Sequence, residues 1–227
     1  MRRWIPLIIL ASAQFIMVLD SSVMNVSISQ IVADLNTTVT GVQSAITMYT
    51  LVMAAFMLVG AKLGDILGRD RAFGLGLAVY GLGSLITALS PNLTVLLIGW
   101  SGIEGLGAVL VIPAIAALTA ANYEGKDRAF AYGMIGGAAG AAIAAGPLIG
   151  GYVTTTWSWR YVFVVMGALG IAMGAIWIKT MYGPKEHPGI NEAEFDYIKD
   201  GGALVDLDGP RDPKASGDGP KWDHIRQ

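Results

Sequence analysis

Three features of this chain predict an all-α membrane protein, a bundle of six transmembrane helices followed by a mostly disordered cytoplasmic tail. Its 227 residues are 54% hydrophobic and only 14% charged, with a mean hydropathy of +0.56, a combination that soluble domains of this size rarely show. Apolar stretches of about 20 residues recur six times along the chain, each long enough to cross about 30 Å of hydrocarbon. The basic residues between them fall almost wholly on alternate loops, as the positive-inside rule requires of a multi-pass protein.

The expected helices run over about 5–31, 42–63, 72–90, 93–120, 129–153 and 161–182. The first follows Met1-Arg2-Arg3 but is too long for a cleaved leader and lacks a small-residue cleavage site, so it is expected to remain as an anchor. With a cytoplasmic N-terminus, Arg2, Arg3, Lys62, Arg69, Arg71, Lys126, Arg128, Lys179 and all tail bases lie inside, leaving only Arg160 outside. Both termini are then cytoplasmic. Two domains follow: a membrane bundle over 1–183, and an acidic linker over 184–227 with a short helix at about 191–199. Ten acids and six bases give that linker a charge of −4, which argues against nucleic-acid binding.

Two residues stand out against this apolar background. Asp20 lies in the middle of the first span and Glu104 in the middle of the fourth. A carboxylate at the bilayer centre costs several kcal/mol unless it is paired, hydrated or protonated, which makes both candidates for proton coupling. Each also fits a silent buried acid hydrogen-bonded to a neighbouring helix. The fifth span is nearly all Gly and Ala, including Gly136-Gly137-Ala138-Ala139-Gly140. Such a surface suits sliding contacts and static packing equally well, and Pro147 within it removes a backbone donor and is expected to bend the helix. Between spans two and three, Ala61 to Arg71 forms a short loop of mixed charge in which Gly68 permits a tight turn. Asp65, Arg69 and Arg71 there either mark the membrane boundary or latch neighbouring helices.

Asp65, Gly68, Arg69 and Arg71 resemble the loop signature of the major facilitator superfamily, with Ala61 at a usual glycine and Asp70 at a usual base. Leu19 to Val26 is similar to the first-helix signature of the fourteen-helix drug:proton antiporters, and Thr47 to Leu51 to their second-helix signature. Gly146-Pro147-Leu148-Ile149-Gly150-Gly151 matches their fifth-helix motif core, and Ser158 to Phe163 the usual entry to helix six. These matches cover about residues 15–165. Ser101-Gly102-Ile103-Glu104 departs from the fourth-helix motif, lacking its arginine and placing a carboxylate at its glutamine. Residues of about 165–227, from Gly167-Ala168-Leu169-Gly170 through Gly183-Pro184 and Glu192 to Asp206, are instead similar to the anion:cation symporters of the hexuronate type. The chain reads either as a mosaic joined near Ser158 to Phe163 or as one natural relative of both groups.

The resemblance implies the N-terminal half of a proton-coupled secondary transporter, most simply a multidrug or small-molecule:proton antiporter working by alternating access. Asp20 and Glu104 would exchange protons facing a central cavity, and Asn25 and Tyr49 would contact substrate. Asp65, Gly68, Arg69 and Arg71 would gate the cytoplasmic side, while Gly146, Pro147, Gly150 and Gly151 would let helix five rock. Its partners would be the lipid bilayer, protons, a small-molecule substrate, and either a C-terminal six-helix half or a second copy. The alternatives are half of a sugar-acid symporter and a non-transporting membrane scaffold. No enzyme is expected, because no nucleophile–base pair or dinucleotide-binding glycine loop is present. Without cysteine, and with only His187 and His224 in the tail, no metal or other cofactor is expected either.

Overall fold

The computed structural model describes residues 4–181. The expected linker at 184–227, its helix at 191–199, and Arg2 and Arg3 lie outside the described residues. Six helices build the described part: α1 (Ile5–Asp34), α2 (Val39–Leu67), α3 (Arg69–Ala88), α4 (Leu93–Asn122), α5 (Gly125–Thr156) and α6 (Trp159–Thr180). All six are long and apolar enough to cross a membrane, and no strand occurs among the described residues.

Local chemistry sets the helix ends that hydropathy alone misplaces. Thr38 caps α2 by accepting from the Gly41 N–H at 3.0 Å, so α2 begins before its apolar run. Gly68, at φ 90°, turns the chain directly into α3 in a conformation that a side chain would strain. Asn92 caps α4 through the Val95 N–H at 3.0 Å, and Ser158 caps α6 through the Arg160 N–H at 3.3 Å. Arg128 donates to the Ala120 and Tyr123 carbonyls at the C-terminal end of α4, and Arg160 to the Ala88 carbonyl at the end of α3. Both arginines thereby occupy the negative end of a helix dipole.

α1 packs chiefly on α5, α2 on α4 and α6 on α3, while α3 and α4 share the most extensive contact of the bundle. In the antiparallel α3–α6 pair, Gly81 meets Gly167 and Gly74 meets Gly174. A methyl group on Gly81 would fall 2.6 Å from the Gly167 carbonyl oxygen, and one on Gly167 would fall 2.8 Å from that of Gly81. Backbone approach of this kind gives the dense van der Waals contact that holds helices together in lipid. Gly83 and Gly107 serve the α3–α4 pair, facing the backbones of Glu104 and Tyr80 respectively.

The other glycine-rich segment behaves differently along its length. Gly146 and Gly150 of α5 are buried against Ser22 and Val23 of α1, whereas a methyl group on Gly133, Gly136, Gly137 or Gly140 would enter open space. Those four lie on the open side of α5. Within their most apolar windows α2 and α5 are only 17% and 22% buried, against 56% to 61% for α1, α3 and α4. Large side chains such as Leu58 and Leu148 project from this flank.

Gly81→Ala is expected to destabilise the bundle by about 1–3 kcal/mol through overpacking. Gly137→Ala should be neutral or stabilising by up to about 1 kcal/mol through helix propensity. Thermal unfolding of the two variants in one detergent checks the contrast.

Candidate functional site

The buried face of α1 is a seam of Leu10, Ala13, Met17, Asp20, Met24, Ser27 and Ile31, spaced alternately three and four residues apart. This is the spacing of a helix stripe packed against its neighbours, and Asp20 is its acid. On α3 the corresponding seam carries Phe73, Leu77, Tyr80, Ser84 and Thr87. Asp20, Glu104, Tyr80 and Ser84 are all 0% exposed. The two carboxyl groups are enclosed by α1, α3 and α4, with Tyr49 of α2 close by.

Glu104 closes a segment of α4, Leu97–Glu104, that is wound as a π-helix. Such wide turns often mark functional sites. The segment places three side chains in the polar core. Trp100, 1% exposed, donates its indole N–H to Asp20 Oδ2 at 2.9 Å. Ser101 donates to the Ala45 carbonyl of α2 at 2.8 Å. Glu104 lies beside Asp20, Tyr80 and Ser84, but neither of its oxygens has a partner of hydrogen-bonding geometry; the same holds for Asp20 Oδ1 and the Tyr80 hydroxyl. Ser84 is committed elsewhere, donating to the Phe163 carbonyl of α6 at 3.1 Å. Four buried oxygen atoms from three helices therefore converge with a single fixed donor, Trp100, among them.

The remaining candidates fall into three places. Tyr49 is 5% exposed and stacks on Trp100, with ring centroids 4.8 Å apart and planes 8° apart. Asn25 is exposed and turns its amide N–H back to the Ser21 carbonyl at 2.8 Å. Asp65 and Arg69 pair at 3.4 Å across the Gly68 turn, with side chains 35% and 38% exposed. An ion pair that open contributes about 0–1 kcal/mol. Arg71 is exposed at the start of α3. No lysine or arginine among the described residues is buried, and all lie near helix ends.

Pro147 leaves α5 assigned as helix throughout, and the neighbouring helix accounts for the donor it lacks. The carbonyl that a residue at position 147 would normally satisfy is that of Ile143, and the Ser22 hydroxyl of α1 donates to it at 3.5 Å. Gly146 makes room for that hydroxyl. The same problem recurs at Pro113 in α4, whose unmatched carbonyl belongs to Val109. There Gly60 of α2 brings its backbone directly against the oxygen, the geometry of a Cα–H···O contact. One turn beyond Ser22, the hydroxyls of Ser27 and Thr154 share a hydrogen bond of 3.0 Å between α1 and α5.

Sequence reasoning missed Trp100, Tyr80, Ser84 and Ser22. Trp100 had a signal: it precedes Glu104 by four residues and so shares its helix face. Tyr80 and Ser84 had none, since their place beside the acids depends on how α3 packs on α4.

Ser22→Ala is expected to cost about 0.5–1.5 kcal/mol. In a Pro147→Ala background most of that cost should vanish, because the new amide satisfies Ile143. A double-mutant cycle read by thermal unfolding measures the coupling, and additive costs would exclude it.

The sequence profile of the Major Facilitator Superfamily matches residues 10–218. The chain is 33% identical over 165 residues to the puromycin resistance protein pur8 of Streptomyces alboniger, covering 72% of this chain and 33% of that protein. It is 30% identical over 183 residues to the riboflavin transporter RibZ of Clostridioides difficile (strain 630), covering 81% and 40%. It is 25% identical over 233 aligned positions to the probable galactarate/D-glucarate transporter GarP of Escherichia coli (strain K12), covering 99% and 52%. The chain thus spans between a third and about half of the length of these relatives. The family match and the six apolar helices identify this multi-pass membrane chain as a member of the Major Facilitator Superfamily.

Proposed function

We propose that the chain is the N-terminal half of a proton-coupled secondary transporter, with small-molecule:proton antiport by alternating access as its activity. The observation that carries this reading is the Asp20–Glu104 pair, enclosed in the bundle with no basic residue beside it. Two such carboxyl groups cannot both hold charge cheaply in a dry core. Gaining and losing a proton there is therefore tied to changes in how the helices enclose them. Resistance proteins among the relatives support an exported substrate, and Tyr49 and Asn25 are the candidate contacts on the α2 and α1 faces.

A second six-helix half, or a second copy, completes the carrier on the open α2–α5 flank. Asp65, Gly68, Arg69 and Arg71 gate the cytoplasmic side, and Gly146, Pro147, Gly150 and Gly151 allow α5 to rock on α1. The protein sits in the inner membrane with both termini cytoplasmic, a placement supported by the basic residues at one end of the bundle. A second reading, sugar-acid symport, is favoured by the alignment with the galactarate/D-glucarate relative, which runs through 99% of the chain. Against it stands the absence of a buried base among the described residues, since a carboxylate substrate calls for one.

The test is flux in liposomes holding the chain together with a C-terminal six-helix half. Antiport predicts proton-driven exchange of a lipophilic cation that falls to the level of empty liposomes in Asp20→Asn. Glu104→Gln should also abolish coupling if Glu104 titrates, and leave it intact if that acid is silent. Galactarate-driven proton uptake would select the symport reading. No flux with any partner half would favour a scaffold.

A further inference from the structure

Among the described residues, Asp20 has one fixed hydrogen-bond donor, Trp100. The donor is neutral, comes from another helix, and belongs to a residue inside a π-helical segment. Trp100 is held in turn by its stack on Tyr49, so the indole plane follows α2 while its N–H addresses α1. One residue on, Ser101 ties the same segment to the Ala45 carbonyl of α2. Two contacts thus lock the π segment to α2, and one contact transmits its position to Asp20.

We propose that Trp100 is a positioning residue for proton exchange at Asp20: its indole N–H, oriented by the Tyr49 stack, holds one carboxyl oxygen as an acceptor and links proton occupancy to the placement of α2 against α4. The proposal rests on the reading that Asp20 exchanges protons. It also gives the two acids different standing, because Trp100 fixes an oxygen of Asp20 while both oxygens of Glu104 have no partner of hydrogen-bonding geometry. The groups facing Asp20 are Glu104 from α4, Tyr80 from α3 and Tyr49 from α2. The charged residues of α5 and α6 are confined to helix ends, at Lys126, Asp127, Arg128, Arg160 and Lys179, and none reaches the carboxyl. Movement of α2 away from α4 would break the stack, release the indole and leave Asp20 to its acidic neighbours. Such a link needs no basic residue at membrane depth.

Trp100→Phe removes the N–H and keeps a ring to stack on Tyr49. In the full chain, the infrared carboxyl band identified by its loss in Asp20→Asn should move to higher wavenumber in Trp100→Phe, as a carbonyl does on losing a donor. Should that variant fail to fold, Asp20→Asn alone serves: among six tryptophans, one ¹⁵N-indole resonance should respond strongly. Trp157→Phe, at an exposed site remote from the core, is the control and should change neither signal. With a partner half, Trp100→Phe should displace the pH midpoint of coupled flux by about one unit while maximal flux is retained.

An unmoved infrared band, an indole spectrum indifferent to Asp20→Asn, or an unchanged pH midpoint would each overturn the proposal. The spectroscopic readings require no transport, so they separate it from the coupling reading. Flux missing from the unmodified chain and its partner half would overturn that reading. Flux present but insensitive to Trp100→Phe would overturn this one.

Discussion

Hydrocarbon offers no partner to a polar atom, and nearly every feature of this bundle answers that constraint. Thr47, Thr50, Thr87, Thr119, Thr155 and Thr180 each return their hydroxyl to the carbonyl four residues earlier. Ser101 and Ser84 reach carbonyls on neighbouring helices, and the carbonyls exposed by Pro147 and Pro113 are met by Ser22 and by the backbone at Gly60. Even the two arginines at helix ends serve open carbonyls. Against this thorough accounting, the unmatched oxygens of Asp20, Tyr80 and Glu104 form one localised exception. Among the described residues the other buried side-chain polar atoms have partners, so the cost of unmatched polar atoms is concentrated at one point.

The glycines divide along the same functional line. Those on α3 and α6 bring two helices into close backbone contact, and their seven-residue spacing repeats on both partners. Gly167 and Gly170, which resemble a sugar-acid carrier motif in sequence, are accounted for in the fold by packing against α3. On α5, Gly146 and Gly150 are engaged with α1, while Gly133, Gly136, Gly137 and Gly140 lie on the open side. The closely packed α3–α6 layer thus contrasts with α2 and α5, whose most apolar stretches are only 17% and 22% buried.

How much of this could be read from the sequence depended on whether the relevant physics is local. Span number came from hydropathy, because a helix in lipid must be apolar along its own length. Gly68 declared its turn, and Asp20 and Glu104 declared themselves by being out of place. Helix ends were less legible, since Thr38 and Ser158 start their helices ahead of the apolar run by capping and contribute nothing to hydropathy. The π-helical winding of Leu97–Glu104 left no trace in composition. Nor could the Gly/Ala run of α5 be divided into its engaged and open parts, because that depends on the azimuth of α5 around α1. Tyr80 looked like any aromatic residue in an apolar helix until α3 was docked.

The pairing plan also bears on how the chain is made. α1 and α2 leave the ribosome well before α5 and α4, the helices on which they chiefly pack. Asp20 and its indole donor are separated by 80 positions in sequence, and Ser27 and Thr154 by 127. Early assembly must therefore carry an acid within a hydrophobic segment whose hydrogen-bond partner has not yet been synthesised. Insertion and final packing become distinct stages, with the polar core closing late as a check that α4 has arrived in the correct register.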